Sequence, residues 1–240
     1  MRKPLCLRVA LGLCALYAAS AGAEGYYTTF EGGGRFMERA TAREIGSGAL
    51  APNARYEAAP DDNAMVGLTF GKHLPQNMRA EVEIQWSSTG LGDLKVTDDG
   101  GLGARFNTGS LACQSFTTRG DVESLAVLFN AFYEVDYGLF RPYFGGGAGF
   151  ADVNMDHTRI TGFAGQSLPT PVALADDHST VLAWQAGAGV ALPLTARWTV
   201  TVDYRYFATE DPEIDLAGRA GRFKSSYASH NVVGGLRFEF

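Results

Sequence analysis

The chain has 240 residues, a formal charge of -6, 46% hydrophobic residues, 19% charged residues and 30 glycines. Glycine at one residue in eight without a Gly-X-Y period excludes collagen, and the aromatic content of 12% excludes a disordered chain. A mean hydropathy of -0.06 and an isoelectric point near 5.2 argue against a bundle of membrane helices and against nucleic acid as a partner.

Residues 1–23 read as a secretory signal peptide. Arg2, Lys3 and Arg8 precede an apolar, small-residue stretch, and Ala21 and Ala23 fit a signal-peptidase site. Cleavage after Ala23 removes three positive charges, taking the formal charge from -6 to -9. Cys6 and Cys14 leave with the signal, so Cys113 remains alone and no intrachain disulfide is expected. Residues 24–240 are expected to form one domain.

From there the chain alternates with period two. Eight segments are predicted, at about 26–37, 64–73, 78–88, 122–135, 141–153, 181–192, 197–208 and 229–240. In the third, Met78, Ala80, Val82, Ile84 and Trp86 share one face, and Arg79, Glu81, Glu83 and Gln85 share the other. In the sixth, Leu182, Trp184, Val190 and Leu192 alternate with Ala183, Gln185, Gly187 and Gly189; in the seventh, Trp198, Val200, Val202, Tyr204 and Tyr206 alternate with Asp203 and Arg205. The eighth sets Val232, Leu236, Phe238 and Phe240 against Asn231, Arg237 and Glu239. Connections alternate between short ones at 74–76, 136–140 and 193–196 and long ones of roughly 20 to 30 residues. Long loops are uncommon in compact soluble domains. Their restriction to every second connection puts them all at one end of an up-and-down meander, the pattern of an outer-membrane barrel with short periplasmic turns and long exterior loops.

The alternation alone leaves open which face points out. A soluble ligand-binding barrel would turn the apolar face inward. Three features favour outward: the polar face mixes both signs of charge, Trp86, Trp184 and Trp198 lie on the apolar face near predicted strand ends, where an aromatic girdle meets lipid headgroups, and the segments are long enough for a tilted span. In lipid every backbone polar group must be paired, so the sheet must close. Eight strands close around an interior that side chains fill. The fold class expected is therefore all-β: an eight-stranded antiparallel up-and-down transmembrane β-barrel in the bacterial outer membrane.

Four stretches resemble the porin-like outer-membrane β-barrel family, which includes opacity-type surface antigens and the barrel of outer membrane protein A. They are RPYFGGGAGF at 141–150, similar to that family's PYxGxGxG strand, AWQAGAG at 183–189, DYRY at 203–206 and HNVVGGLRFEF at 230–240. The resemblance implies a barrel and no particular ligand or reaction. It also implies that Leu236, Phe238 and Phe240 form the C-terminal signal read by the barrel-assembly machinery. No peptidoglycan-binding domain is expected after the last strand.

Candidate chemistry is sparse. Arg79, Glu81, Glu83, Gln185, Asp203, Arg205, Arg237 and Glu239 read as a polar network filling the lumen. Gly145, Gly147, Gly149, Gly187 and Gly189 share the inward faces of two neighbouring strands; they either leave a cleft for a small ligand or make room for large neighbours such as Arg205 and Tyr143. They lack the lysine of a phosphate loop. His73, His157, His178 and His230 stand at no metal-ligand spacing, and the acidic pairs at 61–62, 98–99, 176–177 and 210–211 fit no calcium loop. Ser229 and His230 are adjacent, so in a strand they face opposite ways. No cofactor, metal or catalytic residue is assigned. The expected role is structural and surface-exposed, with long loops, including a mobile one at about 89–121, contacting host or environment and the barrel contacting lipid and lipopolysaccharide. Two alternatives are a channel passing small or apolar solutes through a narrow lumen or lateral opening and, less favoured, a lipid A-modifying enzyme.

Overall fold

The computed structural model describes residues 25–45, 54–101, 109–216 and 221–240. The expected signal peptide lies outside the described residues. Thirteen strands are present: β1 (Tyr26–Met37), β2 (Ala40–Ile45), β3 (Arg55–Ala58), β4 (Asn63–Leu74), β5 (Met78–Gly90), β6 (Leu94–Asp98), β7 (Ser115–Glu134), β8 (Arg141–Phe163), β9 (Gln166–Pro193), β10 (Trp198–Thr209), β11 (Glu213–Asp215), β12 (Arg222–Ser225) and β13 (Ala228–Glu239). Eight of them form a closed ring in the order β1, β4, β5, β7, β8, β9, β10, β13, with β13 returning to β1 and every pairing antiparallel. Closure leaves no unpaired edge for lipid to meet.

The apolar face points outward. Phe129 is 63% exposed and Val66 53%, whereas Glu83 is 0% and Arg35 1% exposed. Residues 78–86 of β5, 125–133 of β7 and 198–206 of β10 each run nine residues with apolar or aromatic side chains at every outward position. Nine residues is about the length of a tilted span. Trp198 opens β10 just above a short turn and lies against Phe238, ring centroids 4.8 Å apart. Trp86 pairs with Leu125 near the other end of the belt. Trp184 packs 5.4 Å from Tyr206 but sits inside the long strand β9 rather than near its end.

The long connections are not simple loops. β7, β8 and β9 extend well beyond the predicted segments, and β2, β3, β6, β11 and β12 stand beside them. The extra strands pair in the order β11, β12, β2, β3, β6, and β6 joins β7. They raise a collar on the barrel. The region at 89–121, expected to be a mobile loop, contains β6 and the first part of β7, with residues 102–108 outside the description. The physical reason is that the outward face changes from apolar to charged along one continuous strand. Within the belt β7 turns Leu125, Val127 and Phe129 outward and Ser124 and Asn130 inward. Just above, Val122 turns inward and Asp121 and Glu123 outward. The collar stands in water and buries an apolar core, as a soluble barrel does, so its strands do not show the polarity of the strands below. That core contains Leu91, Leu94, Val122, Val153, Leu174 and Tyr227.

Candidate functional site

The lumen inside the lipid belt is filled by charged and amide side chains in three tiers. At the periplasmic mouth, His73 Nε2 lies 3.2 Å from Glu239. Just above, Arg79 pairs with Glu134 and, at 3.0 Å, with Glu81, while its guanidinium lies 4.7 Å over the Phe132 ring and 4.0 Å over the Tyr143 ring. Arg237 pairs with the same Glu134 at 3.5 Å and lies 4.6 Å over Tyr27, whose hydroxyl donates to Glu81 at 2.6 Å.

The middle tier centres on Arg205. Its guanidinium donates to Glu31 from both terminal nitrogens, at 3.0 and 2.9 Å, to Glu83 at 2.9 Å, and to Asp203 through Nε and Nη2. These carboxylates come from β1, β5 and β10, so one cation ties strands across the barrel. Glu83 also accepts hydrogen bonds from Asn130 at 2.8 Å and Gln185 at 2.6 Å. Tyr143 donates to Asp203 at 2.7 Å. A bidentate, planar donor matches this role better than a lysine would.

The upper tier is built on Arg35. It donates to Gln85 at 2.8 Å, to Ser87 at 2.5 Å, to Asn231 at 3.2 Å and to Tyr227 at 3.3 Å. Every partner is neutral. Above Tyr227 the interior becomes the apolar core of the collar.

Of the eight residues expected in the lumen, seven are buried there: Arg79, Glu81, Glu83, Gln185, Asp203, Arg205 and Arg237. Glu239 sits at the mouth, its side chain 21% exposed, and pairs with His73 instead of joining the buried tiers. Sequence reasoning missed Tyr27, Glu31, Arg35, Asn130 and Glu134, and named Tyr143 only as a space-filling neighbour of the glycines. The signal for three of them was available: Tyr27, Glu31 and Arg35 share one face of β1 by simple alternation.

The five glycines take the place of missing volume. A Cβ on Gly187 would lie 2.5 Å from the Tyr204 carbonyl and 3.0 Å from Arg205 Cγ; one on Gly189 would lie 2.8 Å from the Tyr143 ring, and one on Gly145 2.8 Å from Phe132. Gly147 is closed by Asn130 and Gly149 by the Val127 carbonyl. The large neighbours occupy the space that a ligand cleft would need.

Outside the lipid belt two carboxyls are held below the usual carboxylate range. The Gly138 amide, then Arg141, does this for Asp136 in the β7–β8 turn. In the collar the Asp215 amide does it for Asp177. Cys113 is exposed, in a collar turn with a φ of 67°. Among the described residues no cluster of three or more His, Cys, Asp or Glu could hold a metal ion.

The profile of the outer membrane protein beta-barrel domain family matches residues 7–238. The chain belongs to that family. Its place is the bacterial outer membrane, where the exposed apolar belt contacts lipid. Among solved structures, this outer-membrane barrel is similar to the outer membrane protein OprG of Pseudomonas aeruginosa, with 16% identity, a TM-score of 0.54, and 91% of this chain and 99% of that one covered. Neisserial surface protein A gives 15% identity, a TM-score of 0.48 and coverage of 91% and 99%. At such identities the likeness concerns the fold alone. No curated protein sequence matches the chain.

Proposed function

We propose that this barrel serves a structural, surface-exposed role in which the collar meets the environment and the lumen does not conduct. The observation that carries the reading is the Arg205 tier. Glu31, Glu83 and Asp203 converge on one guanidinium with Asn130 and Gln185 closing the remaining side, and every one of these residues is buried. A water-filled path for ions would have to part these pairs, leaving charges unpartnered in a low-dielectric interior. The collar, built on polar outward faces, offers the exposed surface to which a host or environmental ligand would bind. Below it the belt favours lipid and lipopolysaccharide as neighbours, with Trp86, Trp184 and Trp198 acting as girdle. Leu236, Phe238 and Phe240 lie on the outward face of the closing strand, which suits a signal read by the assembly machinery before β13 pairs with β1.

Purified protein in planar bilayers should pass no steady ion current, and steady single-channel conductance would overturn the reading. Exchanging the collar strands while keeping the eight-stranded barrel should abolish binding to cells or matrix while leaving assembly intact. Catalysis on lipid A is disfavoured by geometry. Ser229 is buried, while His230 lies on the opposite, outward side with Tyr204 and Glu38 at its two nitrogens, at 2.5 and 3.0 Å. Lipid A hydrolysis that disappears in Ser229→Ala or His230→Ala would reverse that assignment.

A further inference from the structure

Among the described residues four arginines are buried in the lumen: Arg35, Arg79, Arg205 and Arg237, none more than 5% exposed. Three of them meet carboxylates. Arg79 and Arg237 share Glu134, and Arg205 holds Glu31, Glu83 and Asp203. Arg35 differs. Among the described residues it has no carboxylate partner, and its hydrogen bonds go to Gln85, Ser87, Asn231 and Tyr227. Amide and hydroxyl acceptors satisfy N–H groups without cancelling the fixed positive charge of a guanidinium. A charge buried in a low-dielectric interior is costly unless an opposite charge meets it.

The atoms around Arg35 indicate what supplies that charge. Asn231 and Gln85 each accept from Arg35 through the amide oxygen, so their NH₂ groups stand beside the guanidinium. Neither Asn231 Nδ2 nor Gln85 Nε2 has an acceptor in the protein. Ser229 Oγ is likewise unpartnered, two positions from Asn231 on the same inward face of β13. All three residues are at most 2% exposed, so bulk water does not serve them. Asn63, opposite Arg35 on β4, donates to the Ser88 carbonyl, and its unpartnered Oδ1 is a neutral acceptor that adds no charge. One wall is the Phe207 ring, 5.1 Å from Arg35 Cζ. The carboxylates below are already bound to Arg205. What remains on the upper side of Arg35 is a cation, amide N–H groups and a hydroxyl, a set of donors that matches an anion. Walls this deeply buried suit a single atom better than an organic acid.

We propose that the Arg35 tier is a halide site, in which one chloride ion lies against the Arg35 guanidinium and accepts hydrogen bonds from the unpartnered donors Asn231 Nδ2 and Ser229 Oγ, with the Gln85 amide on its flank. Arg35 lies on β1, Asn231 and Ser229 on β13, and Gln85 on β5. The donors meet only when β13 pairs with β1. The ion is therefore taken up as the ring closes and favours the closed ring by mass action. It is held and not conducted, because the Arg205 tier seals the lumen below. The inference goes beyond the surface role proposed above and does not depend on it.

The test is urea unfolding of the protein in uncharged lipid vesicles, with chloride exchanged for gluconate at constant ionic strength. Above the dissociation constant, each tenfold rise in chloride should raise the folding equilibrium constant about tenfold. Ser229→Ala removes one donor and should weaken chloride binding by about tenfold or more. Asn231→Asp places a carboxylate beside Arg35 where the amide stood, so the chain supplies its own counter-charge. That variant should fold equally well in chloride and in gluconate. Crystals grown with bromide in place of chloride should show an anomalous peak in contact with the Arg35 guanidinium and Asn231 Nδ2. Stability of the parent that ignores chloride, the same chloride dependence in Asn231→Asp, or bromide at exposed arginines only, with a water molecule against Arg35, would overturn the proposal. If Asn231→Asp does not fold, the bromide peak decides on its own.

Discussion

Replacing Arg205 by methionine keeps an unbranched apolar stem and removes the cation that Glu31, Glu83 and Asp203 share. The parent structure gives that guanidinium five hydrogen bonds to three carboxylates, each carboxylate less than a tenth exposed. Taking one partner from a buried ion pair costs about 3–5 kcal/mol, a factor of roughly 200 to 5,000 in the folding equilibrium. Three stranded acids place Arg205→Met at the upper end. The assay is urea unfolding in lipid vesicles, followed by tryptophan fluorescence and extrapolated to zero denaturant. A control is Arg39→Met, whose partner Glu57 lies 2.8 Å away in an exposed pair with the arginine side chain 79% exposed; it should change stability by less than about 1 kcal/mol. Adding Glu31→Gln and Glu83→Gln to Arg205→Met should recover much of the loss, because neutral amides carry no unpaired charge. If Arg205→Met unfolds within about 1 kcal/mol of the parent, the tier is not a buried network and the reasoning fails.

Gly189→Ala should destabilise the barrel by about 1–3 kcal/mol, since its Cβ would lie 2.8 Å from the Tyr143 ring and push that hydroxyl off Asp203. Gly32→Ala, where the nearest atom would be 3.9 Å away, should stay within about 0.5 kcal/mol in the same unfolding assay. Asp177 has its folded pKa lowered by the Asp215 amide. Its stabilisation of the contact between β9 and β11 is thus complete above the ordinary aspartate value near 4 and is lost as pH falls through the lowered folded value. Amide hydrogen exchange at Asp215 should report that loss of protection, and protection independent of pH would contradict it. Cys113 is exposed in the collar and should react with a membrane-impermeant maleimide on intact cells without permeabilisation; labelling only after permeabilisation would turn the barrel upside down.

The membrane part of the fold was legible because lipid imposes a simple rule. Outward residues must be apolar, so alternation in β5, β9, β10 and β13 marked both the strands and their faces, and the short turns fixed which end was periplasmic. The same rule hid the collar. The outward face, apolar from Leu125 to Tyr133, becomes charged at Glu123 and Asp121, so a reader following one polarity along β7 stops there although the strand continues to Ser115. β3, β11 and β12, at four, three and four residues, are too short to show any period. The lumen was half legible. Charges in strands with strong apolar partners were found. Glu134 was missed because it follows Ala126, Leu128, Asn130 and Phe132, an inward face of β7 that carries no other charge. Which acids share Arg205 depends on contacts across the barrel, such as that between Glu31 and Arg205, 174 positions apart. No local pattern encodes such a meeting.

Orientation of the two faces underlies all of this, and methyl cross-relaxation to lipid acyl chains in nanodiscs reads it without altering a residue. Methyls of Ile84, Val127, Val202 and Leu236 should show strong cross-peaks to acyl protons, while those of Leu128 and Val233, buried on the luminal side, should show none. Cross-peaks from Leu128 and Val233 with silence from Ile84 and Val127 would mean the charged face lies against hydrocarbon, and the account would be wrong.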